Sequence, residues 1–525
     1  MSQTTKILFV SALINAISWI ILIPLWQYPD EQSHFAQIQY IAEIGGIPEG
    51  SKSQDTSYEV AISEKILGTE RDNLGNNKFT YHPEFHSNYS NTIFGPKETE
   101  ISSLPKSQRR NLIKNEATLN PPLYYFGGSV VYKIFSAGNL FTRVYALRMF
   151  STLIFIGTIL LAYKIGQLIF EKNKVLPIAL CTIIAFKPML VFSSTGVLPD
   201  TLTNFLFTLF IFICLKIIYE NLSAAKVISL LVVIILGALT RQHFLITLLI
   251  VPFVIIEQFL FNKKSRKMII FSSISFLAVL YTLSFFIGPL SFIRTLDYPE
   301  SSQKIIGNPL SNMTYLEHLK WTVKHTISEV WPWYWGIYKW LSLSLPPLSY
   351  QIINRLIPLS VLGLVFKIFE IIKSRQIKKN IPFMFLFLII TIYIFALTTF
   401  DYFFRKNNGF SFGIQGRYFF PTIVAQMALL LIGFEKLFSL VLGRYSKYGL
   451  FLIVTSMVVF NIFSLSFVSS SYYDLSSTET FISQVSQYKP LIIKGNILFL
   501  VFGAALFSQS LFLFNFARDV LKLKS

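Results

Sequence analysis

Residues 6–34 read KILFVSALINAISWIILIPLWQYPDEQSH. Lys6 to Trp26 is an apolar run long enough to cross the hydrocarbon core of a bilayer as a helix. Pro24 and Pro29 bracket its exit, and Asp30, Glu31 and His34 follow immediately. Carboxylates beside apolar surface lose the hydration that stabilises their charge, so they are costly there unless they are used. Two readings compete. Asp30 and Glu31 are the first solvated residues after a helix, with Asp30 as an N-cap, or they belong to a working site at the membrane surface. Asp30 and His34 stand four residues apart, so one helical face carries both. That suits a paired acid and base, or an Asp/His metal arrangement.

Composition sets the class. Hydrophobic residues make up 53% of the chain and charged residues 14%, whereas a soluble domain carries roughly 25% charged residues. Apolar runs of bilayer length recur along the chain, without the period-two alternation of membrane strands. The sequence predicts an all-α polytopic membrane protein with about 12 transmembrane helices. The spans fall at 6–26, 147–170, 175–192, 202–220, 226–240, 243–261, 268–289, 350–370, 381–400, 416–434, 449–470 and 494–515. The organisation is then a first helix (1–26), an exterior loop carrying short surface helices (27–146), helices two to seven (147–289), a second exterior loop (290–349) and helices eight to twelve (350–525). Lys6 to Trp26 has no small-residue cleavage site, so it is expected to be a retained helix.

The net charge of +19 does not imply nucleic acid, because of where it sits. Lys172 and Lys174, Lys263 to Lys267, Lys373 to Lys379, Arg444 and Lys447, and Arg518 to Lys524 all fall between apolar runs. That is positive-inside punctuation, and it places both termini in the cytoplasm; the short termini without sorting tails suit a plasma membrane better than an endoplasmic-reticulum-type one. Reading Pro121 to Phe135 as a full span would invert the later clusters, so that segment is expected to be re-entrant or to lie on the surface. Cys181 and Cys214 both lie within apolar runs, and no disulfide framework follows.

This topology brings a set of charged residues to the exterior side. Asp30, Glu31 and His34 follow the first span. Lys187 lies near the outer end of the third, and Asp200 closes the turn Gly196-Val197-Leu198-Pro199-Asp200. Arg241, Gln242 and His243 sit between spans five and six; Arg405 and Lys406 lie in the loop before Gln415-Gly416-Arg417-Tyr418. Exterior arginines at a membrane boundary run against the positive-inside bias, and a planar guanidinium there suits a phosphate. Lys187 is either a substrate ligand or a side chain reaching for headgroups. The aromatic run Trp331 to Trp335 is read as an interfacial anchor. A boundary carboxylate can take a proton from an acceptor hydroxyl, and nearby cations stabilise a phosphate leaving group. The chemistry these imply is sugar transfer from a lipid-linked phosphate. A transporter or flippase for a lipid-linked or anionic solute would use the same residue types, but nearer the bilayer midplane.

Four segments carry a resemblance to a known group: Pro29-Asp30-Glu31 with His34, Asn120-Pro121-Pro122-Leu123-Tyr124-Tyr125, Val197-Leu198-Pro199-Asp200, and Gln415-Gly416-Arg417-Tyr418-Phe419-Phe420-Pro421. In this order they resemble the GT-C superfamily of polyprenyl-phosphate-sugar-dependent glycosyltransferases, in a bacterial branch related to protein O-mannosyltransferases and lipid A aminoarabinose transferases. The resemblance implies that Asp30 is the catalytic aspartate, with Glu31 beside it and Asp200 as a second acid. It implies that Arg417 lies near the lipid phosphate and that transfer inverts the anomeric carbon. His34, Lys187, Arg241, His243 and Tyr418 are expected to contact substrate. The implied partners are a polyprenyl-phosphate sugar, an exterior glycan, lipid or protein acceptor, and membrane lipid, with no nucleic acid. Some members of the superfamily need a divalent metal and others do not, so the resemblance leaves metal dependence open. With no soluble C-terminal domain after the last span, acceptor recognition is expected from loops 50–118 and 290–349.

Overall fold

The computed structural model describes residues 1–261 except 49–53, 73–74, 86–90, 115–119 and 172, and residues 270, 274, 310 and 312–522 except 377. The first apolar run forms α1 (Gln3–Leu22), opened by Ser2, whose side chain accepts from the Thr5 amide. The following polar segment holds α2 (Glu31–Glu43), α3 (Tyr58–Leu67), α4 (Asn91–Ser102) and α5 (Leu123–Ile134), with β1 (Thr56–Ser57) antiparallel to β2 (Leu112–Lys114). Next come α6 (Leu140–Ile169), α7 (Leu176–Ala185), α8 (Pro188–Thr195), α9 (Asp200–Glu220), α10 (Ala224–Ala238) and α11 (Thr247–Phe261). Later in the chain lie α12 (Tyr315–His325), α13 (Trp331–Trp335) and a hairpin of β3 (Ile337–Tyr338) and β4 (Leu343–Ser344). The remaining helices are α14 (Pro347–Ser374), α15 (Ile381–Asn408), α16 (Ile423–Leu442), α17 (Ser446–Tyr472), α18 (Thr478–Val485) and α19 (Ile497–Leu521).

The protein is thus an α-helical polytopic membrane protein, with strand confined to two short pairs among the described residues. Seven described stretches are long and apolar enough to cross a membrane, or eight if α7 and α8 form one bent span. One of them, Gly416–Tyr472, contains both α16 and α17. Each expected span coincides with helix except 268–289, which lies almost wholly outside the described residues along with Lys263 to Lys267. At 12 residues, α5 is too short to cross. It buries Tyr124, Tyr125 and Tyr132 and turns Phe126, Val130 and Ile134 outward.

Apolar side chains gain little from leaving lipid for a helix interface, so close packing and polar pairs hold such bundles together. Where α14 crosses α16, Gly363 and Gly433 put the two backbones in direct contact, leaving no room for a Cβ on either glycine. Ser360 Oγ donates to Leu430 O at 2.7 Å across the same crossing. Along α1 and α19, Thr4 Oγ1 donates to Asp519 at 2.6 Å, and Gln509 Nε2 donates to Asn15 at 3.3 Å.

Three sequence expectations are corrected. The span 175–192 is bent by 60° between α7 and α8. Pro188 lacks the amide that would continue the helix, and at the break the Phe186 carbonyl accepts from Asn461 Nδ2 at 3.1 Å. Arg405 and Lys406 are not in a loop but in the last turn of α15, where the Arg405 guanidinium lies 4.3 Å over the Trp321 ring. Trp333, Tyr334 and Trp335 are buried core residues rather than an interfacial anchor, because Lys187 and the 416–420 segment pack onto them.

Candidate active site

The site is assembled where α1 hands over to α2. Asp30 occupies the N-cap position of α2 yet makes no side-chain cap bond. Its backbone is left-handed (φ 53°), a conformation that Asp tolerates better than most residues. The carboxylate turns instead toward two arginines. Arg71 Nη1 donates to Oδ1 at 3.1 Å, and Arg417 Nη2 lies 3.5 Å from Oδ2. Arg71 also donates to Ser33 Oγ. About a third of the Asp30 side chain (35%) remains accessible. Burial works to raise its pKa, but Arg71 and then Arg417 outweigh that and hold it below the usual carboxylate range. Of the two readings of Asp30, the structure sets aside the capping one.

Glu31 has surroundings quite unlike those of Asp30. It is wholly buried and paired with Arg148 of α6, with Nε–Oε1 at 2.8 Å and Nη2–Oε2 at 2.7 Å. Arg148 also donates to the carbonyls of Ile20, Ile23 and Pro24, and its guanidinium lies 4.7 Å over the Tyr28 ring. Glu31 further accepts from the Val197 amide at 3.3 Å. With no accessible surface and its oxygens engaged, Glu31 is a staple joining α1, α2, α6 and the 196–199 turn.

The second acid lies beside the first. Asp200, at the start of α9, receives Nε and Nη2 of Arg241, both at 2.9 Å, and Arg241 Nη1 donates to Asn120 Oδ1 at 2.5 Å. Thus the Asn120-Pro121-Pro122 segment, the 196–200 turn and the Arg241 turn meet. Gly196 permits this: a Cβ there would fall 2.6 Å from the Tyr28 ring. Arg241 and Arg417 both act electrostatically on Asp30, which places the two carboxylates in one cluster. His243 is half-buried just beyond Arg241, within electrostatic reach of Asp200.

His34 is buried on the same face as Asp30, and its Nδ1 lies 2.9 Å from Tyr125 Oη. Burial, with Arg241 next in strength, pushes its pKa down to about 3. It is therefore a neutral hydrogen-bonding residue across the physiological range. The unfolded chain takes up this proton near pH 6.5 while the folded one refuses it until about pH 3. Stability contributed here should fall as the pH drops from about 6.5 toward 3. Thermal unfolding of His34→Asn against pH checks this: its acid-side loss between those values should be shallower than in the wild type.

Arg417 ends the approach from the other side. Gly416 lies flat against the Trp333–Tyr334 backbone, where a Cβ has no room, and this aims the next residue inward. Arg417 is 8% exposed, and its Nε and Nη1 have no hydrogen-bond partner among the described residues. The Tyr418 ring lies 5.6 Å below its guanidinium, and the Tyr418 carbonyl accepts from Tyr393 Oη at 2.9 Å. Lys187 does not join the cluster. It donates to Tyr334 O at 2.9 Å, between the rings of Tyr334 and Trp335 at 3.8 and 3.9 Å, and it is fully buried there. It anchors α13, on which Gly416 rests.

A pocket of about 180 Å³ opens beside Asp30 and Arg417. Arg71, Arg241 and Arg417 face Asp30 and Asp200, leaving one positive charge in excess. Such a site attracts an anion and offers buried donors to hold it. No group of three or more His, Cys, Asp or Glu side chains among the described residues forms a metal-ligand set, and both carboxylates of the site face arginines. The described residues of the site do not make a cation-binding set.

Arg148 and Arg71 escaped the sequence reading. Arg148 carried a signal, since an arginine one residue inside a predicted span needs a buried partner. Arg71 lies in a polar segment without a motif, and only the fold brings it to Asp30.

Residues 13–426 match the family described as "Predicted membrane protein (DUF2142)", and the chain belongs to that family. Among solved structures, the apo oligosaccharyltransferase of Archaeoglobus fulgidus aligns at a TM-score of 0.45 and 15% identity, over 90% of this chain and 56% of that one. Apo ArnT from Cupriavidus metallidurans aligns at 0.39 and 11%, over 97% of this chain and 78% of that one. ArnT from the same organism bound to undecaprenyl phosphate aligns at 0.38 and 11%, with the same coverage. This chain spans little more than half the length of the oligosaccharyltransferase. The search of curated proteins gave no match.

Proposed function

We propose that the protein is an integral-membrane glycosyltransferase of GT-C type, moving a sugar from a polyprenyl-phosphate donor to a hydroxyl acceptor on the exterior face. The observation that carries this is the pairing of an accessible carboxylate, Asp30, with a buried arginine whose Nε and Nη1 are unpartnered among the described residues. Asp30 takes the proton from the acceptor O–H as that oxygen attacks the anomeric carbon. The bond from that carbon to the phosphate oxygen breaks, and the lipid phosphate leaves with the electron pair, held by Arg417. Attack opposite the leaving group inverts the carbon. Arg241 fixes Asp200 beside this centre, and neutral His34 supports Tyr125 at its edge.

The transporter reading would draw on the bent pair α7–α8, since discontinuous helices line transporter sites. Here the break is capped by Asn461, and the lysine at the bend is closed beneath Tyr334 and Trp335. Those contacts favour the transferase.

Arg417→Ala tests the phosphate assignment. A hydrogen bond to a charged group contributes about 1.5–3 kcal/mol, so affinity for a polyprenyl phosphate should fall roughly ten- to hundredfold. Arg417→Lys should restore only part of it, because a lysine lacks the planar fork. Unchanged affinity in Arg417→Ala would contradict the assignment.

A further inference from the structure

We infer that the pocket beside Asp30 seats the transferred sugar and is built for one uncharged ring. This rests on the glycosyltransferase reading of the same site. The pocket is lined by both charged groups that the proposed transfer uses, the Asp30 carboxylate and the Arg417 guanidinium. Its volume, about 180 Å³, is below the roughly 300–1,000 Å³ of pockets for drug-sized ligands, which suits a single ring. One wall is the turn of the β3–β4 hairpin, where Lys339, Trp340 and Leu341 are all left-handed (φ 50°, 53° and 62°). Three such residues in succession are held only where the surroundings over-determine them, and strain of this kind clusters at ligand sites. Here the indole of Trp340 donates to Trp26 O at 2.9 Å, and Trp340 and Leu341 both line the pocket.

The rest of the lining gives the specificity. Asn76, Thr80 and Gln415 supply amide and hydroxyl groups, and Tyr338 and Trp340 supply aromatic surface. Neutral hydroxyls on an apolar ring are what such a mixture recognises. The two charged liners, Asp30 and Arg417, face each other, and both are needed for the transfer. A sugar amine would compete for the base, and a sugar carboxylate would compete for the phosphate donors. Charged sugars are therefore disfavoured and a neutral hexose is preferred.

The test uses full-length protein in detergent with four probes: farnesyl phosphate, and farnesyl phosphate linked to mannose, to glucuronic acid and to an amino pentose. Wild type should bind the mannose conjugate at least about tenfold tighter than bare farnesyl phosphate, the equivalent of one or two added hydrogen bonds. The two charged conjugates should show no such gain. Trp340→Ala or Gln415→Ala should remove the gain and leave affinity for farnesyl phosphate in place. If Trp340→Ala does not fold, Gln415→Ala decides alone. An equal or larger gain for either charged conjugate, or a mannose gain kept in every folded variant, overturns the sugar assignment. Farnesyl phosphate that binds wild type with no mannose gain overturns it too, while leaving the carrier reading intact. Farnesyl phosphate that does not bind wild type overturns both.

Discussion

Asp30→Asn should lower transfer by about 10²–10⁴-fold, the usual contribution of a positioned general base, while the protein stays folded and membrane-inserted. The asparagine keeps the shape of the side chain but can neither accept the acceptor's proton nor balance two arginines. The fold should tolerate it. Asp30 is partly exposed and its contacts to Arg71 and Arg417 are single-point pairs, so their loss costs less than the roughly 3–5 kcal/mol of breaking a wholly buried pair. Because Arg71 and Arg417 hold the carboxyl below its usual range, Asp30 is ionised at any pH near neutrality. Transfer by the wild type should therefore not titrate with this group until the pH falls below the ordinary carboxylate range. By linkage, the stability contributed by its charge is present above that range and lost as the pH drops through the depressed folded pKa. Unchanged transfer in Asp30→Asn would remove the base assignment.

Glu31→Ala should instead act on stability, one residue away. Removing one partner of a wholly buried ion pair costs about 3–5 kcal/mol, because the remaining charge is left uncompensated. Arg148 would keep its bonds to the three carbonyls at the end of α1 but lose both carboxylate contacts. Thermal unfolding in detergent should show a markedly lower midpoint. Adding Arg148→Leu should recover part of it, since the stranded charge is then gone. A Glu31→Ala protein as stable as wild type and inactive would instead make Glu31 a catalytic group.

These two adjacent residues show what was legible in the chain and what was not. The hydropathy of Lys6–Trp26 and its successors announced the spans, because lipid demands continuous apolar helix and leaves few alternatives. The convergence of Asp30, Asp200, Arg241 and Arg417 followed from topology, since parity along the chain put them on one side. The different surroundings of Asp30 and Glu31 were not legible, because only the fold decides which carboxylate faces Arg148 of α6. Lys187 was misread for the same reason: its partners are the Tyr334 carbonyl and two aromatic rings, 147 residues or more away in sequence. The break before α8 did leave a mark, as Pro188 directly follows Lys187 within an otherwise apolar run. The aromatic cluster Trp331–Trp335 misled because interfacial belts and buried aromatic cores share a composition.

The most direct test of the central claim follows the donor's carrier. Proteoliposomes containing the full-length protein and a polyprenyl-phosphate hexose are supplied with a glycan or peptide acceptor mixture, and released polyprenyl phosphate is measured against glycosylated product. The account predicts polyprenyl phosphate and product in equal amounts from wild type, and neither above background from Asp30→Asn. Donor that crosses the bilayer intact, with no carrier phosphate released and no difference between wild type and Asp30→Asn, would contradict it.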